Sequence, residues 1–241
     1  MASNGRAFVL GILLFAAIVA GSVEVMRRPK PTFPKVVIGA KDEVYYSRSV
    51  TAQDAIVLGQ ALRDVGFFND RGTSVLLSRS GGGAVVSFVL AKGVWNRADV
   101  AANFEEVGRR IAASIGGFPI QVRLVDSAWT VRRSLEVGKT MIGVRDAIYY
   151  LGSATEGDAR SLGSALRDAG YLKDLGVSVV VSKGDVTAIG FVLSEGVWEQ
   201  PEAVAGFAAL ARRVAVSIGG LPVQVRLLDA EMESKNEVAV R

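Results

Sequence analysis

The chain has 241 residues, half of them hydrophobic and 22% charged, with a net charge of +4 and a mean hydropathy of +0.32. That is too apolar for a disordered chain and long enough for two small domains. It holds no histidine and no cysteine, which excludes disulfides, Cys/His zinc sites, iron–sulfur clusters, His- or Cys-ligated haem and every Ser-His or Cys-His catalytic arrangement.

Residues 7–23 form an uninterrupted run of apolar and small residues after Arg6. A helix of about 20 residues spans the hydrocarbon layer, and about 17 is the lower limit. A cleaved signal peptide would use Arg6 as its charged end and Ala20, Gly21 and Ser22 near the cut. A retained transmembrane anchor is the better reading, because Arg27 and Arg28 follow the run directly and hinder export. Residues 1–28 are therefore expected to be a tail and single-pass anchor. Arg27, Arg28, Lys30 and Lys35 cluster just after it, where they suit an anionic membrane surface better than nucleic acid. Counting Lys and Arg at the two ends puts the C-terminal portion on the cytoplasmic face. Pro29, Pro31 and Pro34 make residues 29–38 an extended juxtamembrane spacer.

The rest of the chain is one unit written twice. Ala61-Leu62-Arg63-Asp64 returns as Ala165-Leu166-Arg167-Asp168, and Gly93-Val94-Trp95 as Gly196-Val197-Trp198. Gln121-Val122-Arg123-Leu124 returns as Gln224-Val225-Arg226-Leu227. A repeat of this length is a duplicated domain rather than a solenoid. Domain 1 is read as residues 39–127, a linker as 128–141, domain 2 as 142–230 and a C-terminal tail as 231–241.

Each copy opens with a strand, 43–47 or 147–151. Thr51 with Asp54, and Thr155 with Asp158, mark helix starts resembling a capping box. Ala55, Leu58, Leu62 and Val65 follow helical spacing, and Gly66 and Gly170 sit where a C-cap is expected. Two β-rich runs joined by a glycine turn come next. A second helix follows, with Val100, Phe104, Val107, Ile111 and Ile115 on one stripe, or Val204, Phe207, Leu210, Val214 and Ile218. Gly116 and Gly219 end these helices, and the last strand covers 119–125 or 222–228. The order βαββαβ resembles the ferredoxin-like split βαβ pattern. It implies an α+β fold in which both helices cover one face of a four-stranded antiparallel sheet. The phrases Gly-Val-Trp and Ile-Gly-Gly-x-Pro-x-Gln-Val-Arg-Leu resemble ones in uncharacterised bacterial membrane-anchored proteins, a likeness that carries no assigned activity.

Candidate chemistry is sparse. Gly138-Lys139-Thr140 ends like a phosphate-binding loop, but Arg133 stands where that motif needs a glycine. Phe88 and Phe191 occupy the strand that carries base-stacking aromatics in RNA-recognition modules, without the accompanying set; they read as core. Asp42/Asp146, Asp54/Asp158, Asp64/Asp168 and Asp126/Asp229 recur but are scattered along the unit, which suits caps and surface pairs. No cofactor, metal or nucleic acid is expected. The duplicated Tyr45/Tyr149, Trp95/Trp198, Gln121/Gln224 and Arg123/Arg226 remain as candidates for a partner-binding surface. The expectation is a non-enzymatic accessory or assembly subunit of a larger membrane protein complex. The alternative is a membrane-anchored ligand- or peptide-binding sensor using a cleft between the copies.

Overall fold

The computed structural model describes residues 32–81 and 83–241. The anchor over 7–23, with Arg27, Arg28 and Lys30, lies outside the described residues. Among the described residues, no helix is long and apolar enough to cross a membrane. The described residues form a mixed α/β structure with a large sheet and four α-helices, and the chain divides into two compact units at Leu135/Glu136.

Unit 1 contains strands β1 (Lys35–Ile38), β2 (Asp42–Tyr46), β3 (Ser74–Ser80), β4 (Gly83–Val89) and β5 (Ile120–Val125). Helix α1 (Ala52–Asp64) follows β2, and α2 (Ala98–Ile111) follows β4. Unit 2 repeats the plan with β7 (Asp146–Gly152), α3 (Glu156–Asp168), β8 (Ser178–Lys183), β9 (Ala188–Val192), α4 (Pro201–Val214), β10 (Val223–Leu228) and β11 (Ser234–Val240). The 12-residue strand β6 (Val131–Ile142) runs across the boundary.

The helix starts form as the sequence predicts. Thr51 and Thr155 each accept from the N–H of Asp54 or Asp158, and each aspartate accepts from the threonine N–H in return. Gly66 and Gly170 take positive φ just past the helices, where a side chain would be strained. Val100, Phe104, Ile111 and Ile115 are buried, as are Val214 and Ile218.

The strand order corrects the ferredoxin-like expectation. In the split βαβ pattern another strand separates the two strands of each crossover. Here they are direct neighbours: β2 pairs parallel with β3, and β4 parallel with β5, while β3 and β4 form an antiparallel hairpin. Unit 2 does the same with β7–β8, β8–β9 and β9–β10. The sheet is therefore mixed and runs in chain order. Element order along the chain is common to both arrangements, and apolar patterning does not encode which edges meet.

The expected placement of both helices on one face does hold within each unit. Val44, Val75, Phe88 and Leu124 stand in register on one side of unit 1, all fully buried. The Phe88 ring meets Phe67, just after α1, at 5.0 Å and Phe104 of α2 at 4.8 Å. In unit 2 the corresponding row is Ile148, Val179, Phe191 and Leu227, and Phe191 meets Tyr171 and Phe207. Phe88 and Phe191 are thus core residues.

The segment read as a linker over 128–141 holds most of β6, and the tail over 231–241 holds β11. Part of the spacer, Lys35–Ile38, is β1. Each unit thus begins one strand earlier and ends one strand later than the duplicated phrases suggest. Gly138-Lys139-Thr140 lies inside β6.

Candidate partner-docking surface

The sheet face opposite the helices carries the duplicated tyrosine, glutamine and arginine candidates. Cross-strand register sets Lys35, Tyr45, Leu76, Ser87 and Arg123 in one row across unit 1. The row in unit 2 is Lys139, Tyr149, Val180, Gly190, Arg226 and Glu237. Alternation on β5 and β10 puts Gln121 and Gln224 beside the arginines on this face, while Ile120, Val122 and Leu124 turn inward. The Gln-Val-Arg phrase thus sets its two polar side chains, half-buried, on the helix-free face of each unit.

The aromatic candidates are used internally. Tyr45 is only 3% exposed. Its ring meets Trp129 edge-on at 5.7 Å, and its hydroxyl donates to Glu43 Oε2 at 2.7 Å. Burial, with the Glu43 carboxylate beside it, pushes the Tyr45 hydroxyl up to about 12. Lys35, read as a membrane-surface residue, pairs with Glu43 and lies 5.8 Å over the Tyr45 ring. Tyr149 is half-buried, with Lys139 over its ring at 5.3 Å. Trp95 and Trp198 stand in short 3-10 turns after β4 and β9. The Trp95 carbonyl accepts from Arg133, and the Trp198 carbonyl from Asn236 at 2.9 Å. Trp198 packs against the core of unit 2, and the Arg132 guanidinium covers the Trp95 ring at 5.7 Å. Trp198 thus closes the end of unit 2.

The polar members differ between units. Arg123 Nε donates to Gln121 Oε1 at 2.7 Å. In unit 2, Gln224 Nε2 donates to Glu237 Oε2 at 2.6 Å, and Arg226 Nε lies 3.5 Å from Glu237 Oε1. Glu237 was hidden from sequence reading because residues 231–241 look like a tail. The lysine–tyrosine pairs were discoverable, since Lys35 and Lys139 precede Tyr45 and Tyr149 at the same spacing.

The recurring aspartates are structural clamps. Asp54 and Asp158 cap helices, and Asp158 also pairs with Lys183 at 2.6 Å. Asp126 accepts from Ala128 and Thr130 N–H and pairs with Arg132; Asp229 accepts from Glu233 N–H and pairs with Lys235. Asp64 accepts from Gln60. Asp42 and Asp146 are buried loop holders. Among the described residues, no group of three or more carboxylates is placed to hold a metal ion.

The chain matches no family model, and no curated protein or solved structure matches it.

Proposed function

We propose that the protein is a non-enzymatic, single-pass membrane subunit that braces or helps assemble a larger membrane complex, docking a partner protein on the helix-free faces of its two units. The observation that carries this reading is the duplicated polar strand, Gln121/Arg123 and Gln224/Arg226, half-buried on a face that neither helix of its unit covers. Sheet faces that set half-buried arginine and glutamine beside apolar side chains are suited to protein contact. The apolar run at 7–23 would supply the tether, with the units on the cytoplasmic side.

Purification of the full chain in mild detergent, with a photo-crosslinking residue at Gln121 or Gln224, tests it. A partner crosslinked stoichiometrically at these positions, and not at exposed Ile56 on α1, is the expected result. A partner-free monomer, or crosslinks confined to the helix side, would overturn it.

A further inference from the structure

The two units carry the same Gln-Val-Arg strand but complete it differently. In unit 2, Glu237 stands opposite Arg226 on β11. Its carboxylate accepts from the Gln224 amide and forms a long ion pair with Arg226 Nε, 3.5 Å away, a buried nitrogen that has no hydrogen-bond partner. In unit 1, the residue at the same distance beyond the Asp126 turn as Glu237 is beyond the Asp229 turn is Ser134. A hydroxyl cannot supply the missing charge. Gln121 Oε1 holds Arg123 Nε, and among the described residues no carboxylate pairs with Arg123. Arg123 is half-buried, so its side chain has given up part of its hydration without gaining a counter-ion. With Nε already engaged, the two terminal nitrogens are the donors left to offer, a fork matched by one planar carboxylate.

We propose that Arg123, oriented by Gln121, is the receptor for an acidic side chain of a protein partner, which supplies from outside the carboxylate that Glu237 supplies from within unit 2. This rests on the docking reading above and gives it a chemical class: the partner presents a glutamate or aspartate to unit 1, whereas unit 2 carries its own carboxylate in Glu237. Gln121 is a positioning residue.

The test is a titration of the full chain in detergent with a hexaglutamate peptide, following the arginine Nε–Hε resonances. The expected result is a saturable shift at Arg123, none at Arg226, and none with hexaglutamine. Ser134→Glu places a carboxylate where unit 2 has one and should weaken peptide binding at least tenfold. Ser134→Gln, matched in size but neutral, should leave it unchanged, which separates charge from misfolding. No shift at Arg123, an equal shift with inorganic phosphate, or equal binding by Ser134→Glu would overturn the assignment. If a partner copurifies equally with wild type and Ser134→Glu, the receptor falls and the docking reading stands. If hexaglutamate saturates Arg123 while no partner copurifies, the docking reading falls and the receptor stands.

Discussion

Asp42 and Asp146 illustrate how one buried carboxylate can organise a loop. Asp146 is fully buried and accepts backbone N–H groups from Asp174, Gly176 and Val177 at 2.7–2.8 Å. Asp174 returns the favour from the left-handed region, its Oδ1 accepting from Val144 and Arg145 N–H. Asp42 and Asp70 repeat the clasp in unit 1. Burial pushes the Asp146 carboxyl up, but the backbone donors outweigh it and hold it below the usual carboxylate value. The unfolded carboxyl titrates near 3.9, so the stabilisation is present above about pH 4 and fades as pH falls through the lower folded value. Asp146→Asn removes the charge and turns an NH2 toward N–H donors. It should cost about 3 kcal/mol, read as a lower urea midpoint at pH 7, with the gap to wild type narrowing toward pH 3. An unchanged midpoint at pH 7 would contradict the clasp. The sequence shows these aspartates as recurring but not as buried, because their donors lie some thirty residues away.

The alkaline side has its own residues. Burial pushes Tyr171 up to about 12, with Asp146 adding to the effect, and Tyr45 is held equally high. Both favour the neutral phenol in the folded state. Their contribution is intact below the ordinary tyrosine value near 10 and is lost as pH climbs toward 12. Ultraviolet titration should show these two, and Tyr150, which burial also pushes up, ionising late and together with alkaline unfolding. Ionisation of all five tyrosines near pH 10 with the fold intact would refute this.

At the scale of elements, the first α-helix of each unit, α1 or α3, meets the first strand of its unit at a glycine. A Cβ on Gly163 would lie 2.4 Å from Ile142 Cδ1, and one on Gly59 would lie 2.3 Å from Ile38 Cγ1. Alanine is the better helix former by about 1 kcal/mol, so an open site would gain from Gly163→Ala. The contact reverses the sign: the substitution should cost on the order of 1–3 kcal/mol through overpacking. Adding Ile142→Val removes Cδ1 and should restore part of the loss, measurable as a double-mutant cycle on thermal unfolding. Additive losses would mean that the two do not touch. Both glycines and both isoleucines are visible in the sequence, yet their meeting is not, because Lys35–Ile38 reads as a spacer and most of β6 as a linker. The helix caps were legible because their partners lie three residues apart. Strand pairing was not, since the apolar runs at Val75-Leu76-Leu77 and Val179-Val180-Val181 fit either neighbour. The pairing has a further consequence. In each unit the two parallel pairs run in opposite directions through a sheet that advances one way, with both helices on one face. The two crossovers are therefore of opposite hand, and one departs from the usual right-handed connection.

At the scale of the whole molecule, the duplication was legible but its ends were not. Repeated phrases survive where a strand is packed on both edges and against helices. They fade in Lys35–Ile38 and the matching half of β6, where Val36 and Val37 face Thr140 and Met141 in the alignment. The interior of each unit therefore looked like the whole of it. Fragments separate the two boundaries. Residues 131–241 keep β6, whose positions from Glu136 to Ile142 pair with β7 throughout. They also keep Ile142 against α3 and Gly138 beneath the Tyr150 ring. Residues 142–241 lose that strand and leave Ile148, fully buried in the intact unit, at a bare edge. Residues 131–230 lose β11 and uncover Val223 and Val225, whose register partners are Val240 and Val238. Each exposed aliphatic side chain costs about 1.5–3 kcal/mol, so losing several approaches the stability of a small domain. Fragment 131–241 should unfold in one cooperative thermal transition, and 142–241 and 131–230 should show none or aggregate. Equal melting of 142–241 and 131–241 would show that β6 is a linker after all, and that unit 2 closes without it.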